Sequence, residues 1–415
     1  MVEPRKMRIL IYSYNYHPEP IGIAPLMTEL AEGLVQQGHE VRVVTAMPNY
    51  PQRRIYDEYK GKLYMTEKKK GVAVQRNYVW IRPHPGLLDR IMLDASFVLI
   101  SLVHALKGLR PDVILLTVPP LPVAVPAAML GWLHRCPVIL NLQDILPEAA
   151  VHTGLLTNKR IIRIFEGLEK FAYRSATKIS VISDGFVDNL VGKGVQENKI
   201  VLIPNWVDVN FIQPLPKEES PFRKAHQLNG KFVVLYSGNI GRTQPLTALI
   251  DAAARLKHIP EIAVVIVGEE KALQDLELYR QKIDATNVLL LPFQPRKELP
   301  QMLAAADIGM VMQKENVISF NMPSKIQLLL ASGRPIIASV PSTGTAAKAV
   351  QQSKGGIVVP PEDSDALVAA ILDLYKNPDK AEALGKQGRQ YAIENYAFNT
   401  ALDRYEKLFG EVSLH

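Results

Sequence analysis

The sequence predicts an α/β chain: two doubly wound, Rossmann-like domains in tandem facing a cleft, with a C-terminal helix crossing back to the first domain. Three observations predict it. Short β-branched runs alternate with longer helical patterns along the chain, which is the signature of βαβ units and parallel sheets. The rhythm starts afresh after a proline cluster at Pro204, Pro214 and Pro216. The last segment, about 378–413, is helical with no strand after it, so it is free to dock on the first domain. The expected domains are 1–205, joined by a helix at about 397–415, and 206–396.

In the first half, RILIYS reads as a strand, followed by a Gly/Pro loop and the helix APLMTELAEGLVQQG, which ends at Gly38. The strands VRVVTA, DVILLTV, PVILNLQ, TKISVIS and KIVLIPN follow, interleaved with PAAMLGWLHR, NKRIIRIFEGLEKFAYRSA and a helix that begins near Asp184. In the second half the strands are FVVLYSG, AVVIVG, NVLLLPF, DIGMVMQ, PIIASV and GGIVVPP. Between them lie the helices TALIDAAARLKH, LQDLELYRQKI, RKELPQMLAAA and SKIQLLLA. Ligands in such sheets gather at the carboxyl ends of the strands.

Hydrophobic residues are 47% of the chain and charged ones 21%, which places it among ordinary folded proteins. The single cysteine, Cys136, can form no internal disulfide, and MVEPRKMRIL shows no signal peptide, so a reducing cytoplasm is expected. Charge is uneven. Up to Asn205 there are 25 Lys and Arg against 18 Asp and Glu, and from Trp206 onward 23 against 23. A basic first half attracts nucleic acid, anionic lipids or anionic substrates; the other reading is a solvated surface. No nucleic-acid motif accompanies the charge. Residues 89–110 are apolar but contain Asp94 and His104, and 113–133 are broken by Pro119, Pro120, Pro122 and Pro126, so neither reads as a membrane span. The first is either a buried helix or one lying on a bilayer surface, with Arg82, Arg90, Lys107 and Arg110 nearby.

Each domain has a glycine loop after its first strand: YNYHPEPIGIAP with Gly22, and YSGNIGRTQP with Ser237, Gly238, Asn239 and Gly241. Neither is G-x-G-x-x-G, which argues against a nicotinamide enzyme. The second loop suits phosphate, because glycines let the backbone approach and Arg242 adds a forked donor. In NMPSKIQLLLA a lysine opens a helix, where the dipole already favours anions. Pro323 suits the first turn and Ser324 a cap. Lys325 then has no structural reason to be there, and Arg242 and Lys325 are expected to meet one diphosphate. QDILPE offers Asp144 and Glu148 after a strand of the first domain, with a helix cap as the other reading of Asp144. EDSD at 362–365 looks like a D-x-D metal motif but precedes ALVAAILDLY, so it reads as a cap. Motifs for zinc, serine hydrolase and Walker-type nucleotide chemistry are absent.

Together YNYHPEPIGIAP, QDILPEAAVHTGLL, VISDGF, KIVLIPNWVD, FVVLYSGNIGRTQ, VGEE, MPSK, ASGRPIIA and GGIVVPPED resemble the retaining glycosyltransferases of family 4, with the GT-B fold, and their colanic-acid and exopolysaccharide branch. The resemblance implies transfer of a sugar from a GDP- or UDP-sugar, GDP-fucose among them, to a lipid-linked or growing saccharide. It implies no metal or other cofactor, and a cytoplasmic place with peripheral contact to an anionic membrane. The implied catalytic residues are Asp144, Arg242 and Lys325. Around the donor it implies Gly22, Ser237, Gly238, Asn239, Gly268, Phe293, Asn321, Met322, Pro323 and Ser324. On the acceptor side it implies Tyr16, Asn49, Tyr50 and Glu148. Such enzymes are thought to react on one face of the donor, the leaving phosphate taking the acceptor's proton, so no paired carboxylates at nucleophile spacing are needed. The chain departs from the family at Leu328, where many members carry a ribose-holding glutamate, and at Thr243 and Thr247, where a second basic residue is common. A nucleotide-sugar 2-epimerase on the same fold and a non-catalytic nucleotide-sugar-binding partner are the alternatives.

Overall fold

The computed structural model describes residues 6–20, 22–82, 86–152, 154, 156–241, 243–317, 319–320 and 322–413. By contact density it divides into two compact units. One is the chain up to Pro204 together with the residues from Leu402 onward, and the other is Asn205–Ala401.

The first unit runs β1 (Arg8–Tyr12), α1 (Ala24–Gln36), β2 (Glu40–Ala46), β3 (Tyr64–Lys69), β4 (Val72–Asn77), α2 (Leu87–Ala105), β5 (Val113–Val118) and α3 (Ala124–His134). It continues with β6 (Val138–Leu142), α4 (Glu148–His152), α5 (Lys159–Ser175), β7 (Lys178–Val181), α6 (Asp184–Gly192) and β8 (Ile200–Leu202). Its sheet order is β3-β4-β2-β1-β5-β6-β7-β8. All pairs are parallel except β3 with β4. The central strands are buried along their length, as both-face coverage by helices requires.

The β3–β4 hairpin is absent from the sequence reading. β3 is mostly exposed and lysine-rich, TEKK, because it is an edge strand, and edge lysines discourage pairing with other chains. Such a strand has no apolar alternation to announce it. α2 answers the question of 89–110: it is neither a fully buried helix nor long and apolar enough to cross a membrane. Its inner face carries buried Phe97, Ser101 and His104, while Leu99 and Val103 are exposed.

The second unit runs α7 (Pro221–Ala225), β9 (Phe232–Ser237), α8 (Leu246–Leu256), β10 (Ile262–Gly268), α9 (Glu270–Lys282), β11 (Val288–Pro292), α10 (Leu299–Ala304) and β12 (Ile308–Met312). Then come α11 (Lys325–Ala331), β13 (Ile336–Ser339), α12 (Thr345–Ser353), β14 (Gly356–Val359), α13 (Ser364–Lys376), α14 (Pro378–Tyr396) and α15 (Phe398–Ser413). Its all-parallel sheet has the order β11-β10-β9-β12-β13-β14. Strand alternation sends Val233, Leu235, Val265 and Val311 to one core, and Val234, Tyr236, Ile266 and Met310 to the other. Each fully buried aliphatic side chain contributes about 1.5–3 kcal/mol.

The part of α15 from Leu402 onward groups with the first unit, where Tyr405 and Phe409 are fully buried. The imidazole of His39 meets Glu406 at 3.2 Å, and the Ser413 hydroxyl donates to the Met7 sulfur at 3.6 Å.

Candidate functional site

In the second unit β9 lies between β10 and β12, so the strand order reverses at its carboxyl end. That is where an open α/β sheet makes a crevice. Ser237 closes β9. Gly238 follows at φ 144°, a backbone that favours glycine, and its N–H donates to Val267 O at 3.1 Å. A second reason for glycine is space: a Cβ at 238 would come to 3.0 Å from Lys325 Nζ and 3.1 Å from its Cε. Lys325 therefore reaches from the start of α11 to the glycine loop. Its Nζ also sits 3.6 Å from the ring centre of Tyr236, whose hydroxyl donates to Asn239 O at 2.6 Å and fixes the loop.

No carboxylate pairs with Lys325 among the described residues. Burial pushes its pKa down to about 7, because an ammonium removed from water without a counter-ion is disfavoured. An anion at this spot would relieve that penalty.

The rest of the loop cluster is held by short links. Gly241 N donates to Gln244 Oε1 at 3.0 Å, and Lys314 N to Thr243 O at 3.0 Å, joining the loops after β9 and β12. Gly268 ends β10 without a side chain because the Ile240 side chain occupies the space a Cβ would need. Phe293, just past β11, is half exposed and offers a ring face. Met322 is half-buried against the core. Arg242 and Asn321 lie outside the described residues.

Ser324, expected to cap α11, does not: its backbone is helical, φ −59° and ψ −22°, and its side chain makes no cap hydrogen bond. A capping side chain needs an extended backbone to reach the N–H groups. Pro323, expected in the first turn, precedes the helix, its carbonyl accepting from Ile326 N at 3.1 Å. Leu328 is half-buried against the core. The EDSD segment is a helix start: Asp363 Oδ1 accepts from Ala366 N at 2.9 Å, and Asp365 pairs with Arg255.

In the first unit the loops after β1 and β2 are tied by an acid that sequence reasoning passed over. Glu19, in HPEPIG, is buried, and its carboxylate accepts from Asn49 N at 2.8 Å, Tyr50 N at 2.9 Å and Asn15 Nδ2 at 2.6 Å. A lone acid between two prolines in a loop after a strand was the available signal. Asn49 is buried, its amide donating to Met47 O at 2.9 Å, and Tyr16 is buried too. Both therefore frame the loops, whereas Tyr50 is 41% exposed. Gly22 adopts φ 69° just before α1, with open space where a Cβ would lie.

The two carboxylates of QDILPE differ in circumstance. Asp144 is half-buried, and among the described residues its Oδ1 accepts only from the next N–H, Ile145, at 2.9 Å. Burial raises its pKa, opposed by that one hydrogen bond. It does not cap α4, which begins at Glu148. Glu148 is committed: it accepts from Asn189 Nδ2 at 3.0 Å and pairs with Lys193 at 3.0 Å. Burial alone would raise its pKa, but the Asn189 and Lys193 contacts, with His152, outweigh burial and hold it below the usual range. Lys193 bridges on to buried Glu169, which also takes the Tyr173 hydroxyl. Asp94 on α2 is a third acid; burial raises its pKa to about 6. Its neighbour on that helix, Phe97, packs edge-on against Tyr14 at 5.1 Å. Among the described residues no group of three acidic, histidine or cysteine side chains is placed to hold a metal ion.

Comparison with known proteins adds the following. Residues 22–206 match the glycosyl transferase 4-like domain, and residues 218–391 the glycosyl transferases group 1 family. The chain is 31% identical over 373 residues to WcaI of Escherichia coli (strain K12), assigned as a colanic acid biosynthesis glycosyl transferase, covering 88% of this chain and 91% of that one. A GDP-mannose-dependent alpha-(1-6)-phosphatidylinositol monomannoside mannosyltransferase of Mycolicibacterium smegmatis is 28% identical over half of this chain and 55% of its own. The crystal structure of Anabaena HepE in complex with UDP and glucose superposes with a TM-score of 0.71 over 98% of this chain and 100% of that one, at 18% identity. Two parallel-sheet units with loops gathered at the strand ends, and these matches along both, make the chain a member of glycosyltransferase family 4 with the GT-B fold.

Proposed function

We propose that this glycosyltransferase takes a sugar from a nucleoside-diphosphate donor and places it, with retention, on a lipid-linked or growing saccharide of a cell-surface glycan. The observation that carries the donor reading is Lys325: a cation with no counter-ion among the described residues, laid against Gly238 at the sheet's switch point. Its charge and the open backbone at Gly238 hold the donor diphosphate, with Arg242 as second cation. As the sugar–phosphate bond breaks, negative charge grows on the leaving diphosphate, and a fixed cation there stabilises it. The acceptor lies over the loops that Glu19 ties together, with Asp144 as the uncommitted carboxylate that orients its hydroxyl. Catalysis rests on positioning and on the cations, and needs no metal. The relatives include both a GDP-mannose enzyme and a UDP-bound structure, which supports a GDP- or UDP-sugar as the donor. The enzyme works at a membrane surface, where a lipid-linked acceptor resides.

Incubation with a panel of radiolabelled GDP- and UDP-sugars and a saccharide acceptor tests this. Transfer from one donor, undiminished by a chelator, is expected. A folded protein that turns over no donor would overturn it, and change of the free donor without acceptor would identify an epimerase instead.

A further inference from the structure

The second unit holds a cavity of about 710 Å³, within the roughly 300–1,000 Å³ of small-molecule sites. It lies away from the loops described above. Phe232 opens β9, Asp307 precedes β12 and Pro335 precedes β13, so the cavity sits at the amino end of the parallel sheet. Gly238 and Lys325 are at the carboxyl end. At about 3.3 Å per residue, the six residues of β9 put about 20 Å between the two places. α14 contributes Lys386 and Arg389 to the lining.

The lining combines aromatic rings with an excess of cations. Phe232 and Tyr375 are both half-buried, and their rings meet edge to face with centroids 5.2 Å apart. Lys217, Arg334, Lys386 and Arg389 face two acids, Asp307 and Glu382. Both acids are already engaged. Glu382 pairs with Lys386 on the exposed surface of α14. Asp307 pairs with Lys217 at 2.5 Å and with buried Arg223 at 2.6 Å. One carboxylate thus faces two cations, and Arg334, which also feels the Asp307 charge, adds a third. The other acid acting on Arg334, Glu218, is exposed.

Arg334 spends its hydrogen bonds on carbonyls: Nη2 donates to Leu215 O at 2.6 Å and Ala304 O at 3.0 Å. Its Nε is buried and has no hydrogen-bond partner. Arg389 likewise donates to the carbonyls of Val209, Ile212 and Ala331. Burial lowers the pKa of both guanidiniums, and both stay charged at neutral pH. Buried donors are nearly always paired, so the Arg334 Nε–H points to a group that the chain does not supply. An arginine fork with a lysine beside the same carboxylate suits a phosphate. Aromatic walls with a few polar groups suit the ring of a small organic molecule.

We propose that this cavity binds a small phosphorylated sugar, with its phosphate at Arg334 and Lys217 and its ring against Phe232 and Tyr375. The site is separate from the diphosphate site at Lys325 and does not depend on that reading.

Titration calorimetry of the full chain with glucose 1-phosphate and glucose 6-phosphate, in saturating GDP and UDP, tests the proposal. At least one hexose phosphate is expected to bind while the nucleotides are present. Arg334→Met should weaken that binding about ten-fold or more. Lys217→Gln and Lys386→Glu should each weaken it measurably with the fold intact, because Arg223 still neutralises Asp307 and Lys386 is exposed. These two variants decide the matter if Arg334→Met does not fold. Wild-type protein that binds neither hexose phosphate, or lysine variants that bind as wild type does, would overturn the site. Binding seen only without the nucleotides would overturn it too, by placing the hexose phosphate in the donor loops. Inorganic phosphate that binds as tightly would leave an adventitious ion only, with no role for the rings.

Discussion

Lys325 and Asp144 are charged groups that the fold leaves without a salt-bridge partner among the described residues, and each makes a different prediction. For Lys325 the folded pKa, about 7, lies below the ordinary 10.5. Between those values the unfolded chain binds more protons, so stability rises with pH across that window. A diphosphate beside the ammonium restores its charge, so binding above the folded pKa takes up a proton. Calorimetry of GDP or UDP binding at about pH 8, in buffers of different ionisation enthalpy, should show that uptake in the wild type and none in Lys325→Ala. The same substitution should weaken binding about ten-fold or more, since a charged hydrogen bond contributes about 1.5–3 kcal/mol. Asp144→Asn should lower kcat with little change in donor affinity, because its carboxylate has one backbone partner and no structural cation. Asp94 makes the opposite pH argument. Its folded pKa is raised, so its ionisation costs stability as pH rises through about 6. Asp94→Asn should raise the melting temperature at about pH 7 and not at about pH 4. Lys325 was legible in the sequence as a cation where helix electrostatics does not want one. Asp94 and Glu19 were not, because nothing local distinguishes a buried acid from a solvated one.

At the scale of elements, patterns with a strong period were legible and those without were not. Most parallel strands announce themselves because burial on both faces demands continuous Val, Ile and Leu; β4, VAVQRN, is parallel to β2 yet ends in buried polar residues and was missed. β3 does not, since an edge strand is selected for charge. α12 escaped for a related reason: TAAKAVQQS is alanine-rich and polar, and packs through small side chains. α2 was ambiguous because it has an apolar face on both sides, one toward the sheet and one outward. α7 is tied into the second unit by buried polar contacts of Arg223, which donates to the Ala305 and Lys231 carbonyls at 2.9 Å each. Its Arg223 donates to Asp307 Oδ2 at 2.6 Å, both side chains nearly fully buried, and Asp307 also accepts from Val233 N at 2.8 Å and pairs with Lys217. Removing one member strands a buried charge, so Asp307→Ala should cost about 3–5 kcal/mol. Urea unfolding of the second unit would measure it, and the first unit's transition should not move.

At the scale of the whole molecule, the chain leaves the first unit at Pro204 and re-enters it at Leu402. The residues from Leu402 onward therefore belong to a core laid down by the first two hundred. Deleting 402–415 removes Tyr405 and Phe409, both fully buried. Loss of a buried aromatic costs about 3–5 kcal/mol, so two approach the whole stability of a typical domain, about 5–15 kcal/mol. The truncated chain should keep the cooperative transition of the second unit and lose that of the first, as calorimetric scanning would show.

The returning helix has a consequence for the order in which the molecule comes into being. On the ribosome the second unit is contiguous and can close as soon as it emerges. The first unit, although made first, waits with an open hydrophobic seat beside His39 and Met7 until Leu402 and the residues after it are made. Its exposed interval spans the synthesis of some two hundred residues, at about 5–20 residues per second. The first unit is thus the one whose apolar surface stays uncovered longest while the chain is made.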